Sequence, residues 1–338
     1  MSELDPTTTS EPEGRVLTGF RPTGPLHIGH WFGNVTTMLR LQERHEAFYF
    51  VADWHMLTTH YDRTDELPGF VRSLVLDLLA AGIDPERVTL YRQSDVKEVA
   101  ELTLLLGMVS PLGWLERVPT YKERLRDMAE RDVANYGLLG YPVLQTADIT
   151  IVKGELVPVG EDQVAHLELS RELVRRVNRL SGTEVLIEPR PLLSRSPSVP
   201  GSDGRKMSKS LDNTIDVRDD EDTIRTKVRS FITDPNKIRK GDPGRPEICP
   251  IFALHGLFSP DIYEWTRENC RSGALGCVDC KTNLADRIVA YYAPFRDRRA
   301  ALDERPQTAD EVLGSGATKV RPVVEDTMKA VRAALHLS

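Results

Sequence analysis

Short apolar runs alternate with helix-length segments through the first two thirds of the chain. Arg15–Phe20 reads as a first strand, followed by a Gly/Pro loop and an amphipathic helix from about Gly29. Ala47–Ala52 is a second apolar strand, ending in Asp53, Trp54 and His55; Val88–Tyr91 is a third and Leu156–Val159 a later one. Helical segments such as Leu67–Ala81 and Glu98–Met108 lie between them. Continuous apolar strands separated by helices imply an α/β fold with a doubly wound parallel sheet. Ligands bind such a sheet beyond the carboxyl ends of its strands. The loops after Phe20, Ala52 and Val159 are therefore expected to meet at one site.

Between Glu188 and Gly204 the chain is rich in Pro, Ser, Arg and Gly, the signature of a flexible connection. Beyond Ile215 the β pattern fades, and Asp219–Ile232, Asp261–Cys270, Asn283–Tyr292 and Glu311–Leu337 look helical. The expected organisation is an unstructured tail (1–14), a Rossmann-type catalytic domain (15–213) and a C-terminal helical domain (214–338). The tail, rich in Thr, Ser, Pro and Glu, lacks the basic start and apolar stretch of a signal peptide. No apolar run is long enough for a membrane span. A cytoplasmic protein with no membrane association is the expectation. The net charge of -7 argues against a protein that coats nucleic acid, but leaves room for a local basic surface. Arg175, Arg176 and Arg179 on one helix, and Arg296, Arg298 and Arg299 further on, are the two basic clusters that could meet a nucleic acid or simply face solvent.

Two segments carry the character of nucleotide handling. In Arg21-Pro22-Thr23-Gly24-Pro25-Leu26-His27-Ile28-Gly29-His30, a strand gives way to a helix, where unpaired N–H groups and the helix dipole favour an anion. Gly24 and Gly29 lack side chains, so a base or phosphate can approach the backbone. His27 and His30 are three apart and can both donate to phosphate. In Lys206-Met207-Ser208-Lys209-Ser210, preceded by Gly201 and Gly204, two lysines can reach one polyphosphate. A solvated basic loop would read the same way if it stood alone. On the helix Leu138–Ile149, largely apolar, Tyr141, Gln145 and Asp148 form one polar stripe. A carboxylate buried there needs a donor. Either a substrate or a structural polar network would supply it.

The four cysteines, Cys249, Cys270, Cys277 and Cys280, all lie in the last third, with one Cys-x-x-Cys pair. In a reducing compartment that clustering points to a metal or cluster more than to disulfides. Four thiolates suit tetrahedral zinc or a [4Fe–4S] cluster.

Together the histidine and lysine segments resemble the HIGH and KMSKS signatures of the class I aminoacyl-tRNA synthetases, complete and in order, with roughly 175 residues between them. Gly19-Phe20-Arg21-Pro22-Thr23-Gly24, Val51-Ala52-Asp53-Trp54-His55 and Val157-Pro158-Val159-Gly160-Glu161-Asp162-Gln163 are similar to the tryptophan branch of that class. The cysteine spacing is similar to a bacterial-type, iron–sulfur-containing subset of it. The tyrosine branch shares the architecture and both signatures, and a non-charging paralogue acting as a binding or regulatory protein is a further alternative.

The resemblance implies activation of L-tryptophan by ATP with Mg²⁺, transfer to the 3'-terminal adenosine of tRNA(Trp), a homodimer, and a [4Fe–4S] cluster with zinc as the alternative. It implies that His27, His30, Lys206 and Lys209 act on the phosphates. ATP contacts are implied at Arg21, Pro22, Thr23, Gly29, His30, Lys122, Gly160, Glu161 and Asp162, and at Val199, Lys206, Met207, Ser208, Lys209 and Ser210. The tryptophan contacts implied are Gly19, Arg21, His55, Tyr141, Gln145, Asp148, Val157, Val159 and Gln163. Asp148 would accept the indole N–H, Tyr141 and Gln163 would hold the ammonium group, and Asp162 would meet the ATP ribose. Many members of the tryptophan branch have Gln in place of Arg21 and Asn in place of His30.

Overall fold

The computed structural model describes residues 12–119, 121, 135–160, 163–193 and 198–337. Its centre is a five-stranded parallel sheet of strand order β3-β2-β1-β4-β5: β1 Val16–Phe20, β2 Ala47–Val51, β3 Val88–Arg92, β4 Leu156–Val159 and β5 Arg190–Leu193. The central strands read as apolar runs because both faces are covered; every residue of β2 is buried. The order reverses between β1 and β4, which places the binding crevice beyond their carboxyl ends.

Helices cover both faces. After β1 one continuous helix, α1, comprises Ile28–His30, a π-helical stretch Trp31–Val35, and Thr36–Leu41. It is followed by α2 (Asp53–His60), α3 (Leu67–Ala81), α4 (Glu98–Met108), α5 (Tyr136–Ile151) and α6 (Val164–Ser181). The carbonyl side chain of Asn135 caps α5 by accepting the Leu138 N–H at 2.8 Å. Gly82 ends α3 in the left-handed region, at φ 109°.

The last third is helical: α7 (Glu221–Ser230), α8 (Pro250–Phe258), α9 (Tyr263–Arg271), α10 (Cys277–Asp303) and α11 (Thr308–Ala334). α10 is far longer than the expected Asn283–Tyr292, because mixed polar and apolar composition hides its ends. α11 folds back to lie along β3, the edge strand of the sheet. A Cβ on Gly316 would stand 1.8 Å from the Leu90 carbonyl oxygen, so only glycine admits this approach. Val320, Val324, Met328 and Val331 of α11 enter the same core cluster as Phe48, Tyr91 and Val157 of the sheet.

One expectation is corrected. The Pro- and Arg-rich stretch from Glu188 to Gly204 is not all connection: Arg190–Leu193 pairs in parallel with β4, Pro191 opposite Val157. An edge strand needs only one ladder, so it tolerates proline and polar residues that hide it from pattern reading. The expected tail, 1–14, lies outside the described residues apart from its last three.

A buried ion pair joins the sheet's helical layer to α10. Asp77 of α3 is fully buried, and its Oδ1 accepts Arg299 Nε at 2.8 Å. Arg218 Nε stands 3.6 Å from the same oxygen, and Arg299 also reaches Asp303. Removing one member strands a charge. Arg299→Ala should therefore cost about 3–5 kcal/mol in urea unfolding, whereas Asp77→Leu with Arg299→Met should recover most of it. Equal losses in the single and double variants would show that the pair contributes shape rather than charge balance.

Candidate active site

Two chambers open at the carboxyl ends of β1, β2 and β4. The inner one has a volume of about 400 Å³, and the outer cleft beside it about 1550 Å³. Thr18, Arg21, Asn34, Gln163 and the Pro158–Gly160 backbone line both, and form the junction where contents of the two can touch.

The inner chamber is built on α5. Tyr141, Gln145 and Asp148 line it from one helical face, as their spacing predicts. Asp148 lies at 1 % exposure. Its carboxylate already has protein donors: Gln93 Nε2 gives hydrogen bonds to both oxygens at 2.8 and 2.9 Å, and His55 Nε2 stands 2.8 Å from Oδ2. The need for a donor is thus met, at least in part, by a polar network of the protein before any substrate arrives. A carboxylate has about four acceptor sites, so room for one more donor remains. Burial nonetheless pushes the Asp148 carboxyl up, against the opposing pull of His55 and Gln93.

Across the chamber, His166 links Tyr141 to Gln163. Its Nδ1 lies 2.7 Å from Gln163 Oε1, and its Nε2 faces the Tyr141 hydroxyl. With the ring proton donated from Nδ1 to the Gln163 carbonyl, Nε2 accepts the Tyr141 O–H. The phenol oxygen then keeps lone pairs for a cation. Gln93 and His166 escaped the sequence reading. Gln93 directly follows β3, as Asp53 lies just past β2, and His166 stands three residues after Gln163 on a helix start; both positions carry a signal in the strand-end rule and the helical repeat.

The outer cleft is built on the β1–α1 loop. His27 caps α1, its Nδ1 accepting the His30 N–H at 3.3 Å, while His30 Nδ1 accepts the His27 N–H at 3.4 Å. Each ring's proton must therefore sit on Nε2, leaving that group as a donor. The rings stack with centroids 3.6 Å apart. A Cβ on Gly29 would come within 2.9 Å of the His27 ring, so glycine is needed for the stack as well as for an open backbone. Burial, with Lys209 close by, pulls His27 down to about 4. Burial, then His27 and Lys209, pulls His30 down to about 2. Both imidazoles are neutral donors at pH 7.

The lysine segment closes on the same loop. Lys209 Nζ donates to the Thr23 carbonyl at 3.2 Å. Burial lowers Lys209 to about 8, with Asp216 and Asp77 holding it up and Arg218 adding to the fall. The loop itself turns on buried Asn213, whose Oδ1 accepts the Ser208 N–H at 2.7 Å and whose amide donates to Asp203. Beyond it, Ile28 N–H donates to the Ile215 carbonyl at 3.0 Å and Val217 N–H to the Leu26 carbonyl at 2.9 Å.

All nine residues expected around an amino acid, Gly19, Arg21, His55, Tyr141, Gln145, Asp148, Val157, Val159 and Gln163, line the inner chamber. Of those expected around a nucleotide, Arg21, Thr23, Gly29, His30, Gly160, Val199 and the Lys206–Ser210 segment line the outer cleft, and Pro22 does not. Lys122, Glu161 and Asp162 lie outside the described residues. The second arginine cluster is occupied internally: Arg299 holds Asp77, Arg298 Nε donates to the Ala80 carbonyl at 2.6 Å, and Arg296 Nη2 to that of Val289 at 2.9 Å. In the first cluster Arg175 is bound to Glu172 and Glu188, and Arg176 lies over the Trp114 ring.

None of the four cysteines is in a disulfide. Cys277 and Cys280 lie in the first turn of α10, Cys249 caps α8 and Cys270 is near the end of α9. Burial first, and the neighbouring cysteines after it, push Cys280 up to about 12. The expected metal geometry is not present: among the described residues no group of three or more His, Cys, Asp or Glu side chains is arranged to hold a metal ion. Convergent helix ends bring the thiols near one another without closing a ligand set.

The family pattern described as class I tRNA synthetases (W and Y) matches residues 9–293. The tryptophan–tRNA ligase of Thermotoga maritima is 48 % identical, over 96 % of this chain and 99 % of its own length. That of Aquifex aeolicus is 41 % identical, over 96 % and 100 %. Among solved structures, the tryptophanyl-tRNA synthetase of Campylobacter jejuni, complexed with ADP and tryptophan, aligns with a TM-score of 0.86 at 35 % identity, covering 96 % of this chain and 100 % of that one.

The buried histidines give the fold an acid-side weakness. Unfolded imidazoles take a proton near 6.5, whereas His27 and His30 resist until about 4 and about 2. Their depressed folded values mean that stability is present above 6.5 and is lost as pH falls below it. Urea unfolding at pH 7.0 and 5.5 should show that loss, and His30→Gln should reduce it by about 1 kcal/mol. An undiminished loss in the variant would show that His30 ionises freely in the folded state.

Proposed function

The chain belongs to the class I tRNA synthetases that handle tryptophan and tyrosine, and from this we infer that it works as a tryptophan–tRNA ligase. It is an enzyme that activates L-tryptophan with ATP to tryptophanyl-adenylate and transfers the acyl group to the 3'-terminal adenosine of tRNA(Trp). The observation that carries the substrate reading is Asp148, an acceptor at 1 % exposure held by two donors beside an apolar wall. An indole brings a ring to fill that wall and one N–H for the remaining acceptor site. Phenylalanine would bring no N–H, and the polar site would be left short of a partner.

The two chambers suggest the course of the first step. Tryptophan would sit in the inner one, its ammonium toward Tyr141 and Gln163 and its carboxylate at the junction. ATP with Mg²⁺ would occupy the outer cleft, its α-phosphate at the same junction. The carboxylate oxygen attacks the α-phosphorus and the bond to the β-phosphate oxygen breaks, releasing pyrophosphate. No side chain need bond covalently, so positioning and charge stabilisation supply the catalysis. The Nε2–H groups of His27 and His30 donate to phosphate oxygens, and Lys206 and Lys209 meet the charge on the leaving pyrophosphate. In the second step the terminal ribose hydroxyl attacks the adenylate carbonyl and AMP leaves. We assign adenylation to residues 15–213 and tRNA contact to 214–338.

A homodimer is supported by an apolar face on the described residues: Leu104 and Met108 of α4, with Leu112 and Tyr136, are 57–79 % exposed. No helix among the described residues is long and apolar enough to cross a membrane.

Pyrophosphate exchange into ATP tests the assignment. Exchange should require tryptophan and stay near background with tyrosine. Greater exchange with tyrosine would move the chain to the sister branch, and none with any amino acid would support a binding role.

For the cysteines, four soft thiols on converging helix ends suit a [4Fe–4S] cluster in donor chemistry, and such a group would cross-link α8, α9 and α10. Iron and acid-labile sulfide in anaerobically purified protein should approach about four each per chain. One zinc per chain, or neither metal, would refute the cluster.

A further inference from the structure

Asp148 is held by a residue that does not line the inner chamber. Gln93 is fully buried in the turn Gln93–Asp95 that directly follows β3, and it is not part of the chamber wall. The two ends of its amide face different groups. Its Oε1 accepts the Trp54 N–H at 3.1 Å, and its Nε2 donates to both oxygens of Asp148 at 2.8 and 2.9 Å. A backbone N–H can only donate, so the carbonyl end must face Trp54 and the NH₂ end must face the carboxylate. The polarity of the amide is therefore set by the main chain and not by a ligand.

That main chain is itself fastened. Buried Asp53, at the start of α2, accepts the Trp54 N–H at 3.1 Å and the Ser94 N–H at 3.0 Å on one oxygen. The residue after Gln93 is thus tied to the start of α2, just beyond the paired ends of β2 and β3, where Val51 stands opposite Arg92. Gln93 carries the rigidity of two sheet strands to a side chain of α5. His55, the other partner of Asp148, offers a less constant contact. An imidazole nitrogen donates or accepts according to its tautomer, whereas an amide NH₂ stays a donor at any pH. Burial pushes the Asp148 carboxyl up, and the Gln93 hydrogen bond, with His55, opposes that push.

We propose that Gln93 is a specificity-determining positioning residue, whose fixed amide holds Asp148 as an oriented acceptor for the ring N–H of the substrate. The proposal rests on the reading of the inner chamber as the tryptophan site. Discrimination for an N–H then depends on a side chain that the substrate never meets. Removing the amide should weaken tryptophan strongly and an analogue without the N–H only slightly.

The test measures binding to the full chain by calorimetry, with tryptophan and with benzothienylalanine, in which sulfur replaces the indole N–H. Wild type should prefer tryptophan. Gln93→Met, close in volume, should weaken tryptophan by about ten- to a hundredfold and the sulfur analogue by less than about threefold. Gln93→Glu adds a pH readout. Its carboxyl and that of Asp148 must share a proton. Near pH 6 the protonated form donates to Asp148 and should recover most of the tryptophan affinity lost in Gln93→Met. As the pH rises toward 9 the shared proton leaves, two carboxylates face each other, and affinity relative to wild type should fall. His55 and Asp53 of α2 and Tyr91 of β3 are the other titratable groups around Asp148. All three proteins contain them, so wild type at each pH is the reference. Equal losses for the two ligands in Gln93→Met would overturn the proposal, because they mark a distorted chamber. So would tryptophan affinity within about twofold of wild type, or a Gln93→Glu variant as weak near pH 6 as Gln93→Met. The reading of the chamber is judged on wild type alone. Failure of wild type to bind tryptophan, or to prefer it over the sulfur analogue, refutes that reading and the proposal with it, whereas the variants judge Gln93.

Discussion

Two backbone hydrogen bonds, from Ile28 to Ile215 and from Val217 to Leu26, hold together segments that lie far apart in the chain. The phosphate chemistry depends on this short ladder. The histidines stand on one of its strands, and the other leads directly from the lysine loop. Neither segment could set the other's position through its own local structure: one is a helix cap and the other an irregular turn on Asn213. Once the ladder forms, Lys209 is carried onto the Thr23 carbonyl, where burial lowers its amine to about 8 and its nearby charge, after burial, helps to lower both imidazoles. The site thus sets two neutral imidazole donors beside a buried amine.

α10 supports that ladder from behind. Trp31, one residue past His30, is edge-on to Tyr292 and Phe295 of α10, and its indole N–H donates to the Tyr291 hydroxyl at 3.1 Å. The Asp77–Arg299 pair fixes the same helix a turn or two further on. At 27 residues, α10 is about 40 Å long. One end carries Cys277 and Cys280, and the remainder clamps the back of the histidine helix. Apolar contact supplies most of the attraction, while the buried ion pair fixes rotation and register, since a guanidinium and a carboxylate tolerate little misalignment in a dry setting.

How legible all this was depended on how local the signal was. Strands β1 to β4 were readable because each is buried on both faces and must be continuously apolar. The stripe of Tyr141, Gln145 and Asp148 was readable because helix geometry alone puts those residues on one face. β5 was not, since an edge strand may contain Arg190 and Pro191 without loss. The partners of Asp148 were hidden for another reason. Gln93 and His55 come from the ends of two other strands, and only the pairing of β2 with β3 brings them to the same carboxylate. The arginines near 298 looked like a basic surface because composition does not distinguish a solvated guanidinium from one satisfied by a buried acid or by main-chain carbonyls. The clustering of the cysteines was readable from their spacing, but spacing does not show which helix ends carry the four thiols.

α11 closes the edge of β3, with Gly316 against the Leu90 carbonyl. That contact has a consequence for synthesis on the ribosome. The sheet's strands among the described residues are all made by residue 193, yet the segment that covers its flank, Thr308–Ala334, emerges only after α7 to α10. Through the intervening stretch of translation the nascent chain carries a nearly finished sheet with one side open to any strand that could add to it. α11 therefore acts as the molecule's protection against self-association while it is being made, and a chain stopped before Thr308 would lose that protection.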